Sequence, residues 1–156
     1  MKNKLLPVVL ALFALLAGLA RAADATRVRA DLQPLMDEQL IAANAHDTAR
    51  FLATYLHDQN LVFVFNGVIT VGSDAVRASQ LKAWNNGKSD VVYRWNGEAT
   101  FTILSPTAAV VTAPMASVRT LPDGQISKGE FAVTTIWEKR TEGWRAVQVH
   151  ESTVRK

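Results

Sequence analysis

The chain has 156 residues, no cysteine, and 17 basic against 14 acidic residues. Without cysteine it cannot form disulfides, thiolate metal sites or a lipid anchor on a cysteine. The longest basic runs are pairs such as Lys139 and Arg140, so the basic patch of a nucleic-acid-binding domain is missing. We expect no nucleic-acid partner.

The N-terminus has the layout of a secretory signal peptide. Lys2 and Lys4 precede an uncharged, mainly apolar run over 5–20, and Ala-Arg-Ala follows at 20–22. A membrane anchor is the less favoured alternative, because a spanning helix needs about 20 apolar residues. We predict cleavage after Ala22, export to the periplasm or the medium, and no membrane attachment afterwards.

The mature chain over 23–156 is predicted to be one domain. Removing 22 of the 156 residues leaves 134, the size of a single ordinary domain. The signal carries three basic residues and no acid, so 14 basic residues then face 14 acidic ones. The net positive charge therefore belongs to the export signal.

Two helices open this domain. Apolar residues recur at helical spacing over 24–44, and Pro34 is the one residue that would bend this helix. Asp47 is well placed to cap a second helix, which begins at Thr48 and ends near Leu56.

A hairpin and a third helix follow. Asn66 and Gly67 separate two β-rich runs, which is a strong signal for a hairpin with a type I′ turn. These two runs are 61–65 and 68–71. The third helix is predicted to be capped by Ser73 and to end near Trp84.

The rest of the chain is predicted to be β structure. Turn signals rich in Pro, Gly and Asp divide it into four long strands. These strands are 91–104, 107–121, 125–139 and 144–153. The element order predicts an α+β fold with three N-terminal helices against a curved, mostly antiparallel six-stranded sheet that encloses an internal pocket.

Three segments carry a family resemblance. They read HDTARFL at 46–52, VGSDAVR at 71–77, and TTIW at 134–137 followed by WRAVQVHES at 144–152. In order and spacing these segments resemble the nuclear transport factor 2-like superfamily, especially its SnoaL-like branch. The resemblance implies the cone-shaped fold of that superfamily, which contains isomerases, dehydratases, epoxide hydrolases and polyketide cyclases as well as non-catalytic proteins.

Two features of known relatives are missing from the sequence. The steroid isomerases of the superfamily carry an aspartate base on the first hairpin strand, and the run at 61–65, LVFVF, has no acid. The association domain of the calmodulin-dependent kinase has an arginine where this chain has Thr135. The resemblance therefore implies a pocket that lacks both of these groups.

The last hairpin supplies the candidate catalytic residue. If the turn at 142–143 closes a regular hairpin, His150 faces Phe131 and shares a side with Ser152. His150 is then the best candidate for a general base, because imidazole exchanges protons near neutral pH. The alternative is a structural histidine, hydrogen-bonded to Ser152 or to a backbone carbonyl.

Further side chains are predicted to form the wall of the pocket. The predicted binding residues are Tyr55, Trp84, Trp95, Thr135, Gln148 and Ser152. For the aromatic residues the alternative is plain core packing. His46 and His57 are predicted to lie on the surface, and the histidine spacing suits no metal site, so neither a metal nor another cofactor is expected.

Two functional hypotheses remain open at this point. The first is an exported pocket protein for a small, largely apolar molecule, acting as a cofactor-free isomerase, dehydratase or cyclase. The second is a non-catalytic ligand-binding or oligomerisation module of the periplasm. Both include a homodimer, because Ile136, Val147 and Val149 are predicted on an outer sheet face that needs covering.

Overall fold

A computed structural model of the protein describes the backbone of residues 5–153 and the side chains of residues 21–153. The helices are α1 (Leu5–Asn44), α2 (Thr48–Leu52) and α3 (Ser73–Ala83), followed by a 3-10 turn at Asn85–Gly87. The backbone of α1 continues through Ala22, and the apolar side chains of the predicted signal lie outside the described side chains. In the described part of the chain, no helix combines the length and the apolar character that crossing a membrane requires.

Within residues 5–153, seven strands form one mixed sheet. They are β1 (Val62–Phe65), β2 (Val68–Val71), β3 (Val92–Trp95), β4 (Thr100–Ser105), β5 (Ala108–Thr120), β6 (Ile126–Arg140) and β7 (Gly143–Thr153). Their order is β2-β1-β7-β6-β5-β3, and β4 also pairs with β5. Every strand pairing is antiparallel except the parallel one between β1 and β7. The predicted α+β class, with helices against a curved and mostly antiparallel sheet, is confirmed.

The sheet has seven strands instead of six because the strand predicted over 91–104 is divided. Its two parts, β3 and β4, pair with β5 one after the other. Between them lies Pro114 of β5, which has no N–H to donate, while its carbonyl accepts the Asn96 N–H over 2.9 Å. A Cβ on Gly97 would come within 3.1 Å of the proline ring. The missing donor on β5 therefore interrupts the ladder.

The start of α2 agrees with the prediction, and its end does not. Asp47 caps the helix, and its carboxylate accepts the Arg50 N–H over 3.0 Å. The helix then ends a turn early because the next residues pair with β7. The Leu56 N–H donates to the Ala146 carbonyl, and the Ala146 N–H donates to the Thr54 carbonyl, both over 2.9 Å.

Of the two turns that flank β2, the first agrees with the prediction and the second does not. Asn66 and Gly67 have φ values of 48° and 87°, which is the type I′ turn that the sequence predicts. The cap of α3 is Gly72, and Ser73 is the first helical residue. The prediction that Ser73 caps this helix is therefore wrong by one position.

The hydrophobic core lies between the helices and the concave face of the sheet. Its largest fully buried side chains are Trp137, Leu32, Leu61, Val28, Val111 and Val149. Val28, Leu32 and Met36 recur every four residues on one face of α1, so this helix presents a continuous apolar stripe. Each fully buried aliphatic side chain contributes roughly 1.5–3 kcal/mol.

One extra residue in β7 sets which of its side chains enter this core. Trp137 of β6 pairs with Ala146, and the preceding Ile136 pairs with Gln148, so Val147 has no partner. Such a β-bulge shifts the alternation of a strand by one residue. The inward-facing positions of β7 are therefore even-numbered before the bulge and odd-numbered after it.

Candidate functional site

Three cavities with shared walls lie along the concave face of the sheet. An inner cavity of about 60 Å³ lies between α1 and the sheet, and a middle cavity of about 70 Å³ lies beside Trp84. An outer cavity of about 310 Å³ lies toward the β5–β6 turn. We call the three together the cleft. Glu151 lines all three and, among the described residues, is the one carboxylate residue in their walls.

Four of the predicted binding residues line the cleft. Tyr55, Trp95 and Thr135 lie in the wall of the inner cavity, and Trp84 lies in that of the middle cavity. Phe51 joins two of these aromatic rings, with ring centroids 5.2 Å from Tyr55 and 5.1 Å from Trp84. The aromatic wall expected from the sequence is therefore present.

The other three predicted site residues lie on the opposite face of the sheet. Gln148, His150 and Ser152 are exposed, and none of them lines the cleft. His150 pairs with Thr134 and not with Phe131, because the regular register assumed for the hairpin is wrong. The bulge after Ala146 turns these positions outward. The prediction that His150 faces the pocket is therefore wrong.

The same shift of register turns Glu151 inward. Glu151 pairs with Val133, whose side chain also lines the inner cavity. Loss of hydration among the surrounding side chains raises the pKa of Glu151 to about 7, and no ion pair of the described residues opposes this effect. A carboxyl group with this pKa exchanges its proton readily near neutral pH.

The hairpin turn between β1 and β2 holds Glu151 in position through the backbone. The Asn66 N–H donates to the Glu151 carbonyl over 3.1 Å. The Asn66 side-chain oxygen accepts the Thr153 N–H over 2.9 Å and the Thr153 hydroxyl over 3.1 Å. Glu151 is therefore fixed by its main chain, which leaves its carboxyl group available to a ligand.

Two tyrosines share the cavity walls with Glu151 and are potential donors to a bound molecule. Desolvation raises the pKa of Tyr55 and of Tyr93, and the charge of Glu151 adds to both shifts. Trp84 Nε1 donates to the Tyr93 hydroxyl over 3.2 Å and partly offsets its shift. Trp137 Nε1 is buried and has no hydrogen-bond partner among the described residues. A tyrosine hydroxyl in such a wall can stabilise negative charge that develops on a bound molecule.

The remaining histidines have structural or surface positions. His46, predicted on the surface, is half-buried, and its Nε2 donates to the Val91 carbonyl over 2.8 Å. Its ring also meets the edge of Trp84, with centroids 5.8 Å apart. His57 is exposed, as predicted. In the part of the chain that the structure describes, no three histidine or acidic side chains are grouped to hold a metal ion.

The raised pKa of Glu151 predicts a pH-dependent effect of Glu151→Gln on stability. The carboxyl group has a pKa of about 7 in the folded protein and its ordinary pKa of 4.5 in the unfolded chain. Ionisation therefore costs stability as the pH rises through this window, and the cost is absent below it and complete above it. We expect Glu151→Gln to exceed the wild type in free energy of unfolding by roughly 1–3 kcal/mol at pH 8, and to match it at pH 4.

Urea unfolding at the two pH values measures this difference. Glu130→Gln is the matched control, because Glu130 lies exposed on β6 outside the cleft. A Glu151→Gln effect of equal size at both pH values would contradict the raised pKa.

Comparison with known proteins identifies the family. The sequence model of the SnoaL-like domain family matches residues 32–156 of this chain. No curated protein matches the chain in sequence. Among solved structures, a nuclear transport factor 2-like protein from Salmonella enterica serovar Typhimurium has a TM-score of 0.69 at 18% identity, covering 84% of this chain and 94% of that one.

Two further structures resemble the fold to the same degree. A ketosteroid isomerase-like protein from Erwinia carotovora atroseptica has a TM-score of 0.66 at 19% identity, covering 81% of this chain and 96% of that one. The hexachlorocyclohexane dehydrochlorinase LinA-type3 from Novosphingobium barchaimii has a TM-score of 0.69 at 16% identity, covering 86% and 91%. At such identities the likeness concerns the fold alone. The chain belongs to the SnoaL-like domain family and has the nuclear transport factor 2-like fold.

Proposed function

We propose that the cleft binds a small, largely apolar molecule and that Glu151 moves a proton on it in a cofactor-free isomerisation, elimination or cyclisation. The observation that carries this proposal is the position of Glu151 in the walls of all three cavities, where no other described residue is a carboxylate. Glu151 thus takes the role that the sequence suggested for His150.

The surroundings of Glu151 suit proton abstraction from carbon. Its carboxylate removes a proton next to an electron-withdrawing group of the ligand, and negative charge develops on that group. The Tyr55 hydroxyl is a protonated donor in the same inner wall, able to stabilise this charge. The protonated Glu151 then returns the proton to another carbon in an isomerisation, or a leaving group departs in an elimination.

The names of two structural neighbours support this class of reaction. One is named as ketosteroid isomerase-like and the other as a hexachlorocyclohexane dehydrochlorinase. An isomerisation and an elimination of hydrogen chloride can both begin with the loss of a proton from carbon. A carboxyl group in an apolar cleft is a suitable base for that step.

A non-catalytic binding module is the second candidate. Two observations favour it, the absence of an acid in the run 61–65 and the small volume of the inner cavity, about 60 Å³. In this case Glu151 would serve as a hydrogen-bonding group for a bound molecule and would transfer no proton.

The elimination of 5-nitrobenzisoxazole separates the two candidates, because its single step is removal of a proton from carbon by a base. We expect the wild type to accelerate it above buffer, with a rate that rises with pH through about 7, where Glu151 ionises. Glu151→Gln is expected to lower the rate at least about a hundredfold. His150→Ala and Glu130→Gln are expected to leave it unchanged, because both residues are exposed outside the cleft.

The outcome assigns the role of Glu151. A Glu151→Gln protein that keeps the wild-type rate would rule out Glu151 as the base. A wild type no faster than buffer, but purified with a small molecule bound, would favour the binding module.

We further propose that the protein is exported and forms a homodimer. The N-terminal pattern of positive residues followed by an apolar run supports export. Exposed apolar side chains such as Val68, Ile69 and Val92 favour contact with a second copy of the chain, which would cover them. When the full chain is expressed in a bacterium, we expect a periplasmic protein that begins at Ala23 and has the mass of a dimer in light scattering. A cytoplasmic protein that retains residues 1–22 would contradict export, and a monomer would contradict pairing.

A further inference from the structure

The outer cavity becomes polar with distance from Glu151. On the concave faces of β5 and β6, Met115 pairs with Phe131, and both line the middle cavity with Glu151, while Phe131 also lines the outer cavity. One step further out Ser117 pairs with Gly129, and beyond them lies the pair of Arg119 and Ser127. The floor of the cavity therefore changes from apolar to hydroxyl-lined to cationic.

In the part of the chain that the structure describes, Arg119 is the one basic residue in the wall of the cleft. Within the described residues it forms no salt bridge. The pKa of the Asp90 carboxyl group is lowered mainly by the hydrogen bond from the Thr120 N–H. The charge of Arg119 lowers this pKa slightly further, so Asp90 lies near Arg119. The Thr120 N–H binds the Asp90 carboxylate over 2.7 Å. The guanidinium group of Arg119 therefore keeps hydrogen-bond donors for a ligand.

The two charged groups lie at opposite ends of the cavity. On β6, Val133 pairs with Glu151 and Ser127 pairs with Arg119. These two positions on β6 are six steps apart, which is roughly 20 Å along an extended strand, and the long arginine side chain shortens the gap. A Cβ on Gly129 would come within 2.8 Å of the Ser117 hydroxyl, so the glycine keeps the floor between the two ends open.

From this arrangement we infer that the ligand is an elongated, largely apolar acid, whose carboxylate binds Arg119 while its opposite end, which carries the electron-withdrawing group, reaches Glu151. The inference rests on the proposed function and specifies its substrate class. Arginine binds carboxylates through paired, charge-assisted hydrogen bonds. The serine hydroxyls beside Arg119 offer further donors, and the distance keeps the ligand carboxylate away from the carboxylate of Glu151.

Phenylhexanoate and its methyl ester test this inference, because they share one apolar body and differ in the charge of one end. Calorimetry measures both affinities. Arg119→Gln is expected to weaken phenylhexanoate binding about tenfold and to change ester binding less than about twofold. Arg119→Lys is expected to keep part of the preference for the acid. Arg94→Gln is the control, because Arg94 is also exposed but lies outside the walls of the cleft.

A second variant, Ser117→Trp, distinguishes a failure of this inference from a failure of the proposed function. Its side chain fills the outer cavity, and an aromatic ring opposite Gly129 is compatible with the sheet. If Ser117→Trp weakens the binding of both ligands and Arg119→Gln changes neither, the cleft binds apolar molecules and the role of Arg119 is overturned. If Ser117→Trp also changes neither, the ligands bind elsewhere, and both proposals fail.

Discussion

The unpaired Val147 in β7 determines which groups of the last strand reach the cleft. Its neighbours explain why it stays in place. Before the bulge, Ala146 exchanges backbone hydrogen bonds with Thr54 and Leu56, and after it Gln148 pairs with Val62 of β1. The edge of β7 is thus shared by two segments of chain, and the extra residue falls between them. A slip by one residue would exchange the inner and outer faces of everything that follows.

The site gains its chemistry from an interaction that does not stabilise the fold. Glu151 lies among groups that penalise its charge, and the raised pKa expresses this cost. The packing of α1 against the sheet offsets it, through fully buried side chains such as Leu32 and Trp137. The Asn66 turn secures the backbone around Glu151 without neutralising the side chain. Titratable groups whose pKa is shifted in this way are typical of functional sites.

Features that depend on local sequence were predictable. The Asn66-Gly67 turn and the Asp47 cap each follow from a few neighbouring residues, and the structure contains both. The division of β3 from β4 was not predictable in this way, because its cause, Pro114, lies on the partner strand. Local pattern describes one strand at a time, whereas pairing depends on two.

The change in which side chains of β7 face the core is visible in the sequence. Apolar residues occupy Trp144 and Ala146, and then Val147 and Val149, so the apolar phase changes between two adjacent positions. The burial of Ala146 and Val149 matches this change. Glu151 shares the phase of Val149, which the assumed regular hairpin placed on the outer face and which is buried in the core. His150 was the more familiar candidate base, and the assumption of a regular hairpin placed it inside.

The facing of residues 150 and 151 is the point that a single measurement tests most directly. Because the chain has no cysteine, a thiol introduced at either position reports the accessibility of that position alone. We compare His150→Cys and Glu151→Cys in their reaction with a bulky maleimide, each relative to the same protein unfolded in urea. The bulge predicts that the thiol at position 150 reacts nearly as fast as in the unfolded chain, and that the thiol at position 151 reacts at least roughly tenfold more slowly. The opposite order of protection would show that His150 faces the cleft and would contradict the account.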